Sequence, residues 1–249
     1  STHKLDPYRP LDRIDAARPV TEAVKPITVE VVSLDWKWLF FYPDYGIATV
    51  NEMAAPVDVP INFKLTASSV MNAFYVPALA GMIYAMPSMT SQLHAVMNLP
   101  GDYEGFSSNY SGAGFSGMRF RFRGLDAPDF TSWVAEARRS GETLDRARYL
   151  ELAKPSENEP PVFFGTVDPD LFRRAVNRCV EDGRMCVDEM MALGSTGGTG
   201  LLGTINTVAV AGPTSAFGAR PFHVDELCTP PEAIRQSGRE SVVLLDPAP

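Results

Sequence analysis

The chain has 249 residues, 45% of them hydrophobic, with a net charge of −8 and a pI near 4.9. That length fits one large domain or one domain with an appendage, and the acidic balance excludes nucleic acid as a partner. No stretch approaches the ~18 consecutive apolar residues of a membrane-spanning helix, and the polar start from Ser1 to Pro7 does not read as a secretory signal.

Residues 1–26 hold four prolines among many charges and predict an extended linker. From Ile27 to Leu34 the β-branched residues alternate, which predicts a strand. Asp35 to Tyr42 follows as an aromatic-rich strand carrying Trp36, Trp38, Phe40, Phe41 and Tyr42. Further strands are predicted at 47–50, 59–66, 73–76, 92–98 and 118–122, separated by Gly and Pro punctuation. Short strands at this spacing define a mainly β sandwich or barrel.

Beyond Arg123 the texture turns helical. Asp126 to Asp129 can cap a helix whose apolar positions are Phe130, Trp133, Val134 and Ala137. A second helix is predicted from Thr143 and ends before Pro155. A third begins at Asp168-Pro169 and carries Leu171, Phe172, Ala175, Val176, Cys179 and Val180 at helical spacing. The run Gly194 to Gly200 lacks the Lys-Ser/Thr of a phosphate loop and reads as a flexible connector. The tail after it shows no periodicity.

Three cysteines, Cys179, Cys186 and Cys228, leave one over if two pair. A local Cys179–Cys186 disulfide around the Asp182-Gly183 turn and a small core residue on a helix face are both open readings for Cys179. His223 and Cys228 are too few ligands for a metal. His3, His94 and His223 are scattered, and no nucleophile–His–carboxylate set emerges, so no catalytic residue is expected.

The most informative pattern is a set of intervals. Asn72 is followed after 35 residues by Ser107, then by Ser111, Phe115 and Met118 at steps of 4, 4 and 3. With Asp35-Trp36-Lys37-Trp38, Asn51-Glu52, Val70-Met71-Asn72 and Ile83-Tyr84-Ala85-Met86, this frame resembles subunit II of haem–copper quinol oxidases, the cytochrome bo-type ubiquinol oxidase branch, over about residues 27–180. In copper-bearing relatives the resemblance places His, Cys, Cys, His and Met at those five positions, with a backbone carbonyl at the position of Asn109. A copper pair needs soft bridging thiolates. Here the vestigial positions Asn72, Ser107, Asn109, Ser111, Phe115 and Met118 offer amides, hydroxyls, a hydrocarbon ring and one thioether, so no metal or cofactor is expected on this chain.

What the resemblance implies is then specific. The fold is expected to be a cupredoxin-like Greek-key β-barrel over 27–124, followed by a helical extension over 125–193 and a glycine-rich loop with an irregular tail over 194–249. Residues 1–26 are expected to follow a membrane anchor that is removed or absent. The function implied is that of a non-catalytic domain on the periplasmic face of the bacterial inner membrane, within a proton-pumping oxidase that passes electrons from quinol to oxygen. Its work would be assembly and stability of subunit I, which holds the haems and the remaining copper; other subunits are also expected partners, and cytochrome c is not. The aromatic stretch at 36–42 is then expected in core packing or subunit contact, and the Met-rich stretch from Pro77 to Pro87 as a docking surface or a packed loop. Two alternatives stand beside this: the electron-accepting subunit II of a cytochrome c oxidase with an atypical metal centre, and a free-standing periplasmic binding module.

Overall fold

The computed structural model describes residues 11, 13–15, 17–20 and 24–195, and the chain divides into compact units at 1–182 and 183–249. The first unit is mainly β and cupredoxin-like, with two facing sheets and C-terminal helices. Its strands are β1 (Ile27–Leu34), β2 (Lys37–Tyr42), β3 (Ile47–Val50), β4 (Glu52–Pro56), β5 (Pro60–Ala67), β6 (Asn72–Tyr75), β7 (Ile83–Ala85), β8 (Ser91–Val96), β9 (Gly101–Ser107), β10 (Arg119–Leu125), β11 (Thr143–Leu144), β12 (Val162–Phe164) and β13 (Thr166–Val167). One sheet runs β12-β3-β2-β1-β5-β8 and the other β4-β10-β9-β6-β7, with β11 and β13 forming a small separate pair. Most neighbours are antiparallel, but β1 lies parallel to β5 and β4 parallel to β10.

Period-two patterning explains why the central strands carry so few polar residues. From β2, Trp38, Phe40 and Tyr42 point into the barrel, while Leu39 and Phe41 point out into a second apolar cluster. Both faces of β2 are covered, so all six of its residues are buried. The aromatic stretch therefore packs as core, with edge-to-face contacts such as Trp38 on Phe74 at 5.4 Å. The barrel interior adds Phe63, Phe74, Phe120, Phe122 and Met53 from both sheets.

The helical segment packs on both clusters, its first helix on the interior one and its later residues on the outer one. Helix α1 (Ala127–Arg139) buries Phe130, Trp133, Val134 and Ala137, the four positions read from the sequence. Helix α2 (Arg146–Leu152) starts later than expected, because Thr143 and Leu144 pair with β13 and Asp145 caps the helix through the Arg148 amide at 2.8 Å. Helix α3 (Leu171–Val176) stops short of the predicted Val180. Arg178 turns left-handed at φ 53°, and the Arg178 and Cys179 amides bond back to Ala175 and Arg174. This is a Schellman end with arginine in the usual glycine position. Cys179 thus lies beyond the helix; both it and Cys186 are disulfide-bonded. In the second unit, Val187–Ser195 forms helix α4, which lies mostly inside the expected helical extension and runs two residues into the expected glycine-rich loop. Gly194 and Ser195 belong to it, while the rest of the glycine-rich run, the tail, His223 and Cys228 lie outside the described residues.

Within the expected linker, Arg13 and Pro19 form a β-bridge and Arg18 grips both Asp58 oxygens at 2.8 Å. Residues 13–15 and 17–20 are thus held against the β4–β5 end of the barrel.

Candidate functional site

The interval residues gather at the opposite end, where β1, β6 and β9 terminate or begin. Ser107 Oγ lies 3.1 Å from Asn72 Oδ1 and 3.2 Å from the Asn109 carbonyl, and its single proton serves one of them at a time. Asn72 Nδ2 donates to Ser33 Oγ and to the Val70 carbonyl, each at 3.2 Å. The Asn109 side chain turns away, donating to the Met71 and Tyr110 carbonyls. A buried polar network of Ser33, Asn72, Ser107 and the Asn109 carbonyl thus fills this pole.

The other three positions face different surroundings. Ser111 accepts the Trp36 indole N–H on its carbonyl at 3.1 Å, and its buried Oγ has no hydrogen-bond partner among the described residues. Phe115 sits in a 3₁₀ turn, Ala113–Gly117, with its ring 5.8 Å from Tyr110. Met118 is wholly buried in the barrel core. The structure therefore joins Asn72, Ser107 and Asn109 directly, reaches Ser111 through Trp36, and separates Phe115 into a surface aromatic pair.

As a donor set these groups do not fit a copper pair. A mixed-valence centre needs ionised thiolates, and Ser107 offers a neutral hydroxyl already committed to an amide and a carbonyl. Phe115 has no lone pair to give. Among the described residues no cluster of three His, Cys, Asp or Glu could hold a metal ion.

Two features here escaped the sequence reading. Trp36 closes the β1–β2 hairpin at φ 109°, a conformation that is strained for a bulky residue. Its indole bond to Ser111 and its packing over Gly112 and Gly114 hold it there. Lys37 is 2% exposed, and its ammonium donates to the Lys154 carbonyl, to Ser156 Oγ and to the Asp35 carbonyl. Burial pulls its pKa below the ordinary lysine range, against the upward pull of the Glu159 and Asp35 carboxylates. A Lys between two Trp residues gives no sign in the sequence that it is buried.

Charge at this end comes from the β1–β2 turn and from residue 157 rather than from the loops: Asp35 accepts from Ser69 Oγ, and Glu157 packs on Gly114. No Asp, Glu, Lys or Arg occurs from residue 65 to 101 or from 105 to 118, although 21% of the chain is charged. This end exposes Val70, Met71, Met82, Tyr84, Met89 and Tyr110, the last 75% accessible. Ile83 and Ala85 of the Met-rich stretch are buried in β7, so that stretch is part packed strand and part surface. Charge is also carried by β9 and β10, where Glu104 pairs with Arg119 at 2.8 Å and Asp102 with Arg121.

The cupredoxin-like barrel, its 107–118 loop and the helical cover define the class of respiratory oxidase subunit II periplasmic domains. Residues 46–123 match the family described as cytochrome c oxidase subunit II, periplasmic domain, and residues 138–183 match the COX aromatic rich motif. Cytochrome bo(3) ubiquinol oxidase subunit 2 of Pseudomonas putida is 50% identical over 178 residues, covering 72% of this chain and 54% of the relative. The subunit of the same name from Pseudomonas aeruginosa is 52% identical, covering 69% and 49%, and ubiquinol oxidase subunit 2 of Acetobacter aceti is 50% identical, covering 70% and 54%. Among solved structures, the periplasmic domain of subunit II of cytochrome oxidase from Bradyrhizobium japonicum aligns at 26% identity with a TM-score of 0.44, covering 45% of this chain and 94% of that one. The chain belongs to the subunit II family of the ubiquinol oxidases, and it spans about half the length of the curated relatives it matches.

Proposed function

We propose that this chain is the copper-free periplasmic domain of subunit II of a proton-pumping terminal quinol oxidase, with no catalytic residue of its own. The observation that carries this reading is the Asn72–Ser107–Asn109 hydrogen-bond network, which stands where the resemblance places copper ligands. Electrons from quinol would pass directly to haems and copper in subunit I, and cytochrome c would have no role. The domain's work is then to assemble and stabilise that membrane subunit from the periplasmic side of the inner membrane. The loops at this end suit it for this: exposed Met and Tyr side chains on stretches without Asp, Glu, Lys or Arg lose little on desolvation against an uncharged partner.

The test has two arms. Metal content with visible and EPR spectra, before and after copper addition, should show no stoichiometric copper and no thiolate–copper bands. A tightly bound coloured pair would return the domain to the cytochrome c branch. Deleting the domain from the complete oxidase should abolish assembly or haem retention, and normal quinol oxidase activity without it would refute the assembly role.

A further inference from the structure

We infer that residues 153–161 form a strap that walls the 107–118 loop from outside, with Lys37 and Asn51 as the positioning residues that staple it in place. The loop has few backbone bonds within itself: Ser107 N to Met118 O, Phe115 N to Gly112 O and Met118 N to Phe115 O. Its shape therefore depends on what holds it from outside: β6 through the Ser107–Asn72 and Ser108–Ala73 bonds, Trp36 through the Ser111 carbonyl, and the strap at Gly114 and Gly117.

The first staple is the Lys37 ammonium. Nζ reaches the Lys154 carbonyl at 2.8 Å, Ser156 Oγ at 2.5 Å and the Asp35 carbonyl at 3.3 Å, and the Ser156 amide returns to the Asp35 carbonyl at 3.1 Å. A buried cation is unfavourable unless oxygen acceptors surround it, so the strap is held where it supplies two of the three. The second staple is Asn51, fixed at φ 53°. It bonds Trp38 through both its amide and its Oδ1, accepts from Arg121 on its carbonyl, and donates from Nδ2 to the Glu159 carbonyl at 2.9 Å.

Between the staples the strap touches the loop at two glycines. A Cβ on Gly114 would fall 2.6 Å from Glu157 Cγ and 2.4 Å from Trp36 Cδ2, and one on Gly117 would fall 2.8 Å from Asn158 Oδ1. The structure thus assigns these glycines to contact with the strap and Trp36. It is here that the two separately matched family segments meet, the loop in 46–123 and the strap in 138–183. This inference goes beyond the assembly role and does not depend on it.

Hydrogen–deuterium exchange on the 249-residue chain tests it, comparing wild type with Lys37→Met and Ser156→Ala. Loop amides 107–118 should exchange about tenfold faster in Lys37→Met and about threefold faster in Ser156→Ala, with β1 and β5 at wild-type rates. Faster exchange confined to 153–161, with the loop unchanged, overturns the inference. If Lys37→Met also loosens β1 and β5, Ser156→Ala alone decides, because Ser156 lies outside both apolar clusters. Unchanged loop exchange in that variant counts against the strap.

Discussion

Ser107 Oγ and Asn72 Oδ1 stand 3.1 Å apart, tying the end of β9 to the start of β6 through a buried hydroxyl–amide bond. Ser107→Ala leaves the Asn72 oxygen without that donor in a place water does not reach. We expect a loss of about 1–2 kcal/mol in urea unfolding, with the fold retained.

Trp133 anchors helix α1 in a similar way, its indole N–H donating to Glu52 Oε1 at 3.0 Å in a buried setting. Glu52→Ala should cost about 2 kcal/mol and Trp133→Phe a similar amount, with the double variant losing less than their sum. Additive losses in denaturant unfolding would show that the two groups act independently.

His94 sets a pH dependence. Burial pushes its pKa below the ordinary histidine value, so the folded chain binds the proton less readily than the unfolded chain. Its contribution is present above the unfolded pKa of about 6.5 and is lost as pH falls through the folded pKa. The melting temperature should therefore drop between about pH 8 and pH 5 more in wild type than in His94→Gln. Equal drops would contradict this.

The helical cover makes the outer sheet face soluble. Leu171, Phe172, Tyr149 and Leu144 pack on Val32, Leu34, Leu39 and Phe41. Leu171→Ala, at a fully buried position, should cost about 2–4 kcal/mol. A chain ending at residue 125 exposes that face and should aggregate in light-scattering assays.

The exposed Met and Tyr side chains of this end separate stability from assembly. Met82→Glu with Tyr84→Lys alters two exposed side chains and should leave stability within about 0.5 kcal/mol of wild type. The same pair should reduce the yield of assembled oxidase in membranes expressing the complete complex. Wild-type yield would remove the docking role from this surface.

The sequence was legible where local pattern and burial agree. β1 and β3 fall at their predicted limits, and the apolar face of α1 is the one read from spacing. β4, Glu52 to Pro56, was missed because Glu, Ala and Pro are poor strand formers. It is an edge strand, where a terminal Pro is tolerated. β7 and β9 were hidden in stretches read as loops, since Met, Gly and Asp there carry no clean alternation. At the site, the intervals led to the Asn72–Ser107–Asn109 cluster, but Lys37, Trp36 and the strap depend on partners more than seventy residues away. No local window contains that information.

The parallel pairing of β4 with β10 has a kinetic consequence. In its own sheet β4 has no other neighbour, and its Glu52 lies opposite Arg121. Nearly the whole barrel must be synthesised before that edge can be sealed, and the entropy of closing so long a segment falls on one late step. The first sheet can zip from the β1–β2 hairpin outward to β3, β5 and β8 and receives β12 last, whereas β4 stays unpaired until β10 arrives. A half-made barrel with β4 unpaired at its edge is thus the species present while synthesis is incomplete.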